Sequence, residues 1–281
     1  MLDIKKITTL NELSELKTAY FADSTAPLDG MWHFGFVPMS DHYGFYENNI
    51  LVGYCVLNGE GYLLQFYLAS TANTNSEDLF TLIVENNSSV IGEVKGAFVS
   101  TAEPQYLSLC VDNTQSFKVN AMMFRQNAES GFERNSSRIE EINLTLATQD
   151  QLDPLVEFAS SAIGAPKEWL TGYYSNLIAR QELWGYWEND RILATGECRK
   201  FDEYQTQFAD LGMIVAQAER GKGLATRILN FLTQHANSQG LEAMCSTESS
   251  NIGAQKAIAR AGLSSKNRIL QFDFSELKET D

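Results

Sequence analysis

The run Arg220-Gly221-Lys222-Gly223-Leu224-Ala225 is where residue types and spacing most directly imply chemistry. It follows an apolar stretch, 207–215, and opens a segment in which Leu224, Ile228, Leu229 and Leu232 recur at helical spacing. A glycine loop at the start of a helix leaves backbone N–H groups unpaired at the positive end of the helix dipole. Its glycines let an anion approach the backbone closely. Arg220 and Lys222 add positive charge in an otherwise acidic chain. The run lacks the Gly-Lys-Ser/Thr ending of a nucleoside-triphosphate loop and the third glycine of a dinucleotide fold, so the spacing favours phosphate binding of another kind. A Gly-x-Gly turn taken alone is also an ordinary strand-to-helix connection.

A loop of this kind needs a strand before it and a helix after it, and the second half of the chain has both. The pattern predicts a strand over 142–147, helices over 149–163 and 167–180, a hairpin, and a strand over 207–215. After the loop come a helix over 224–238, a strand over 241–246, a helix over 252–261 and a strand over 268–274. The first half repeats part of this order. Gly44-Phe45-Tyr46-Glu47-Asn48-Asn49 followed by Ile50-Leu51-Val52-Gly53-Tyr54-Cys55 parallels Gly185-Tyr186-Trp187-Glu188-Asn189-Asp190 followed by Arg191-Ile192-Leu193-Ala194-Thr195-Gly196. Each copy reads as a β-hairpin with a tight Asn-Asn or Asn-Asp turn. Between the halves, Asn127 to Arg138 is polar and without period, which places a linker there and predicts domains over 1–130 and 139–281. Strands interleaved with helices imply a central sheet covered on its faces, an α/β class of fold. In the first half, Thr71-Ala72-Asn73-Thr74-Asn75-Ser76 stands where the phosphate loop should be, without glycine or a basic residue.

Arg220, Gly223 and Ala225 meet the Gln/Arg-x-x-Gly-x-Gly/Ala pattern of the GNAT superfamily of acyl-CoA-dependent N-acetyltransferases, which residues 141–275 resemble. Cys245-Ser246-Thr247-Glu248, then Asn251, Ala254 and Gly262, look like that superfamily's next strand, its Asn-initiated helix and the glycine that ends it. The resemblance implies two tandem GNAT-like domains, each a mostly antiparallel sheet flanked by helices, the first of them degenerate. It implies acetyl-CoA as cosubstrate, with the pantetheine arm pairing with the backbone near Met213, Ile214 and Val215. The pyrophosphate would be held by Arg220, Gly221, Lys222, Gly223, Leu224, Ala225 and Thr226, and Asn251 would touch the cofactor. Asn251 is equally suited to capping its own helix, and the two roles are compatible.

Acetyl transfer from a thioester to an amine needs a neutral amine, a stabilised oxyanion and a proton for the leaving thiolate. Asp210 resembles the position from which some histone-type members present a glutamate base. Glu197, on the hairpin strand, and Glu248, after the next strand, are its rivals, with surface or ion-pair roles as the plain alternative for each. The superfamily's usual tyrosine acid falls on Ile258, so the donor is either another side chain, Cys245 or Ser246 among them, or not needed. Trp169, Tyr173 and Tyr174 fit either an acceptor pocket or ordinary core packing.

The formal net charge of −15, from 21 Lys plus Arg against 36 Asp plus Glu, argues against a nucleic-acid partner and mildly for a cationic amine acceptor of small size. Acylation of a protein lysine or N-terminus, and a non-catalytic CoA-binding or sensor role, are the alternatives. Four dispersed cysteines, Cys55, Cys110, Cys198 and Cys245, and three histidines show no metal-ligand spacing. No stretch approaches the roughly 18 apolar residues of a membrane span, and the N-terminus lacks a signal-type apolar run, so a cytoplasmic protein is expected.

Overall fold

The computed structural model describes residues 2–114, 116–126 and 142–274. The expected linker, Asn127 to Arg138, lies outside the described residues. The chain divides into two compact units, one holding the described residues of Met1–Met122 and Asn267–Asp281, the other those of Met123–Lys266.

In the first unit the elements run β1 (Leu2–Ile7), α1 (Ser14–Asp23), β2 (Asp41–Glu47), β3 (Ile50–Leu57), β4 (Tyr62–Leu68), α2 (Ser76–Val84), β5 (Gly96–Ser100), α3 (Pro104–Asp112) and the start of β6 (Phe117–Gln126). The sheet order β1-β2-β3-β4-β5 is completed by the second part of β12 (Leu263–Asp273). Pairing is antiparallel except between β4 and β5. The strand β3 is apolar along its length because both faces are covered: Val52, Cys55 and Leu57 join one core with Phe66 and Phe80, while Tyr54 and Val56 join another with Leu13 and Leu28.

The second unit continues with β7 (Thr145–Leu146), α4 (Leu152–Ile163), α5 (Lys167–Ala179), β8 (Leu183–Glu188), β9 (Arg191–Lys200), β10 (Phe208–Val215), α6 (Leu224–Ser238), β11 (Glu242–Glu248) and α7 (Ile252–Arg260). Its sheet order is β6-β11-β10-β9-β8-β7, with β10 and β11 parallel. The helices α4 and α5 bury Leu155, Leu170, Tyr174 and Leu177 against Leu183 and Ile192. On the opposite face α6 comes close to the strand backbone, where a Cβ at Gly196 would lie 3.1 Å from Ile228 Cγ2.

The two hairpins repeat in detail. Asn48 and Asn49 both take positive φ (50° and 66°), as do Asn189 and Asp190 (48° and 62°), the conformation a two-residue turn between twisted strands requires. The register shift between Phe45 and Tyr46 recurs between Tyr186 and Trp187. The last strand differs from expectation. The sequence reading placed it with 139–281, but Ile269–Asp273 pair with Ser100–Gly96 of β5 and so belong to the first unit's sheet. Its alternating apolar residues would suit the edge of either sheet, and nothing local says which.

Candidate active site

The parallel pairing of β10 with β11 covers only Phe208–Asp210 against Glu242–Met244, although both strands continue beyond it. Past Asp210 the strands part and leave backbone groups of β10 available to a guest chain. The groove between them has a volume of about 480 Å³ and is lined by Met213, Ile214, Val215, Arg220, Gly221, Gly223, Leu224, Ala225, Thr226 and Asn251, so ten of the residues singled out for cofactor contact come together. Lys222 does not line it and pairs with Glu219 at 2.9 Å on the surface.

At the head of the groove Gly221 and Gly223 have φ of 80° and 83°, and an added Cβ at either would meet no heavy atom within 4 Å. Glycine is there for its backbone conformation, and the space it leaves is open. Gly223 is the N-cap of α6 and offers no side chain to the first-turn N–H groups, which therefore remain donors for an anion. Arg220 folds back, its Nε donating to Val215 O at 3.2 Å. Asn251 caps α7, its Oδ1 accepting from Ala254 N at 3.1 Å, while also lining the groove. Ile258 is buried on the groove wall, so the position of the superfamily's tyrosine carries no proton to give.

The carboxylates separate. Glu248 is exposed at the end of β11 and does not line the groove. Asp210 is 1 % exposed, and its Oδ2 accepts from Arg199 Nη2 at 2.6 Å. Arg199 Nη1 donates to Glu197 Oε2 at 2.8 Å and to Tyr173 Oη at 2.6 Å, and the Tyr173 hydroxyl donates to the same Glu197 Oε2 at 2.6 Å. Cross-strand register explains the meeting, since Arg199 lies opposite Asp210 and Glu197 opposite Gly212. A Cβ on Gly212 would sit 3.0 Å from Glu197 Oε2, so the bare backbone of a groove-lining residue is what lets this carboxylate reach β10. Burial raises the Tyr173 pKa and the neighbouring Glu197 raises it further, so the hydroxyl stays a donor. Burial works against the Arg199 charge, yet Asp210, Tyr173 and Glu197 together raise its pKa well above the usual range. Trp169 stacks on Tyr173 with centroids 4.9 Å apart and planes at 12°.

Two acetyltransferase family models match the chain, an acetyltransferase (GNAT) domain over residues 9–127 and the acetyltransferase (GNAT) family over residues 152–263. An acetyltransferase of the GNAT family from Colwellia psychrerythraea is 56% identical over 97% of this chain and 100% of its own, with a TM-score of 0.91. The chain belongs to the GNAT family of acetyltransferases. A tandem GNAT protein from the clavulanic acid biosynthesis pathway, 11% identical over 96% of this chain and 98% of its own, shares the fold at a TM-score of 0.63. So does a GCN5-related N-acetyltransferase from Sphaerobacter thermophilus, 12% identical over 96% of this chain and 94% of its own, at 0.63. A search of curated proteins finds no match. This GNAT chain is thus a tandem N-acetyltransferase using acetyl-CoA, and the groove fits that cosubstrate: unpaired N–H donors and open glycines suit a pyrophosphate, and splayed strand edges suit an amide-bearing arm.

The first GNAT unit has a groove at the corresponding place, about 540 Å³ and lined by Tyr67, Leu68, Thr74 and Tyr106 among others. There the N-cap Asn75 of α2 accepts from Glu77 N at 2.7 Å and Asp78 N at 3.1 Å, and the loop just before it is tied to a carboxylate. Glu47, buried at the end of β2, accepts from Asn73 N at 3.0 Å, Thr74 N at 2.8 Å, Thr74 Oγ1 at 2.7 Å and Asn73 Nδ2 at 2.8 Å. The chain's own carboxylate thus takes up the loop's backbone donors, and these donors, the Thr74 hydroxyl and the Asn73 backbone foremost, lower its pKa to about 2. Sequence reasoning noticed the missing glycine but not the occupant, although Glu47 stands in the repeated hairpin motif opposite Glu188. It also missed Arg199 and the contact of Tyr173 with Glu197. The signal was a Glu-x-Arg pair inside an otherwise apolar strand, 192–199.

Proposed function

We propose that this enzyme acetylates the primary amine of a small, cationic molecule, with Glu197 as the general base. The observation that carries the reading is the placement of the Glu197 carboxylate against the bare backbone of Gly212, on the strand that lines the cofactor groove. Bound in that groove, acetyl-CoA supplies the thioester-activated acetyl group. Glu197 takes a proton from the acceptor ammonium, the freed nitrogen lone pair bonds to the acetyl carbon, the C–S bond breaks with its electrons going to sulfur, and the second proton shed by the acylated nitrogen passes to solvent or to the departing thiolate. A thiolate with a pKa of about 8–9 leaves without an obligatory acid, which accords with Ile258 at the position of the usual donor. Glu197 is preferred to Asp210, the first candidate from sequence, because Asp210 is 1 % exposed and pairs with Arg199 at 2.6 Å, whereas Glu197 is 5 % exposed and receives its hydrogen bonds on Oε2 alone among the described residues. Two carboxylates around one guanidinium, within a chain of net charge −15, favour a cationic acceptor.

The test is thiol release from acetyl-CoA across a panel of small amines, polyamines and lysine peptides, for wild type and Glu197→Gln. Small cationic amines are expected to turn over, with the variant lowering kcat by about 10²–10⁴, the range of a lost general base. An unchanged kcat in the variant removes Glu197 from this role, and turnover restricted to peptides removes the small-molecule reading.

A further inference from the structure

We propose that Arg199, Asp210 and Tyr173 form a positioning set that gives two neighbouring carboxylates unlike roles, Asp210 as the fixed counter-ion of the guanidinium and Glu197 as the proton acceptor. This rests on the reading of Glu197 as the base.

The geometry divides the labour. Arg199 lies across both carboxylates, with Nη2 on Asp210 and Nη1 on Glu197. Glu197 receives both of its hydrogen bonds on Oε2, from Arg199 and from Tyr173, and Oε1 accepts none among the described residues. One oxygen anchors the side chain, and the other keeps its lone pairs for an incoming N–H. An arginine contacting a base directly would stabilise the carboxylate so far that it would accept protons poorly. Asp210 offsets this by sharing the guanidinium, at 2.6 Å against 2.8 Å for Glu197. Tyr173 acts in the same sense as the arginine, lending a hydrogen bond to the ionised carboxylate without bringing charge.

The titratable and charged groups that face Glu197 are therefore Tyr173 and Tyr174 from α5, Arg199 on its own strand and Asp210 on β10, while β8 presents Leu183 opposite it. In the first unit the hairpin repeat puts Val56 in the place of Glu197, paired with Gln65 of β4 where the second unit has Gly212. The carboxylate at this position thus belongs to the unit with the open cofactor loop.

The two positioning residues predict opposite signs, which a general loss of packing would not produce. In Asp210→Asn the Arg199 charge falls on Glu197 alone. The acid limb of the kcat/KM–pH profile for the amine is expected to move down by about one unit, with a lower plateau because the base is weaker. In Tyr173→Phe the ionised Glu197 loses a donor, and the limb is expected to move up by about one unit. KM for acetyl-CoA serves as the control and stays constant in both. Glu197→Gln, measured alongside, should lose activity at every pH. Limbs that do not move in either variant, with Glu197→Gln inactive, overturn the positioning set and leave the base in place. An active Glu197→Gln overturns the base reading itself. If Asp210→Asn lacks the wild-type unfolding transition, the upward shift in Tyr173→Phe carries the test by itself.

Discussion

Gly223→Val against Gly240→Val separates the cofactor cradle from the backbone strain that both substitutions introduce. Both glycines have left-handed φ, 83° and 75°, and neither would bring a Cβ within 4 Å of another heavy atom. Placing a β-branched residue at such a position costs at least about 1–2 kcal/mol, so both variants should unfold earlier than wild type without ligand. They differ in place, since Gly223 lines the groove and Gly240 does not. Acetyl-CoA at about 100 Kd stabilises wild type by roughly 2.7 kcal/mol, which for a domain of this size is a rise of roughly 5–10 °C. A valine side chain over the helix start displaces the pyrophosphate from two or more N–H donors, each worth about 1.5–3 kcal/mol to a charged acceptor. That weakens binding about a hundredfold or more, so the same ligand concentration falls to about Kd or below and the stabilisation drops to about 0.4 kcal/mol, near 1 °C. Differential scanning fluorimetry, with each variant compared with its own ligand-free form, reads the effect, and titration calorimetry supplies the affinity. A full ligand shift retained in Gly223→Val, or one lost equally in Gly240→Val, would refute the assignment of the loop as the phosphate cradle.

Two further outcomes follow from contacts near the carboxylates. Gly212→Ala places a Cβ about 3.0 Å from Glu197 Oε2, so the carboxylate must retreat by a few tenths of an ångström, and kcat should fall about tenfold with folding intact; an unchanged kcat in steady-state assays would show that this approach is not used. Glu47→Gln should lower the melting temperature above pH 4.5, where wild type keeps a carboxylate that the folded state holds ionised, and the gap should close as the pH falls towards about 2. A gap that is constant from pH 7 to pH 3 would count against the anion role of Glu47.

What could be read from sequence was what lies contiguously along the chain. The Arg220–Ala225 loop was legible because a helix N-terminus binds phosphate through successive backbone groups, so one short run carries the whole feature. The hairpins were legible because their turns demand residues that tolerate positive φ, and Asn48-Asn49 and Asn189-Asp190 supply them. The Tyr173, Glu197, Arg199 and Asp210 set was not, because it joins α5, β9 and β10 through a cross-strand register that spacing does not reveal. Asp210 leads the base candidates from its place on the strand, with Glu197 and Glu248 as rivals, and its pairing with Arg199 is a cross-strand contact that the sequence does not display. The occupant of the first unit's loop was hidden for the same reason, since Glu47 lies 26 residues from Asn73.

The route of β12 bears on how the protein is made. Chains are synthesised at about 5–20 residues per second, and about 170 residues separate β5 from the segment that pairs with it. The first unit's sheet therefore waits roughly ten to thirty seconds, through the synthesis of nearly the whole second unit, with Gly96–Ser100 lacking the antiparallel partner of one edge. Synthesis of Ile269–Asp273 rather than completion of the N-terminal half is the event that closes this sheet, and a nascent chain stalled just short of Ile269 would present that edge to its surroundings.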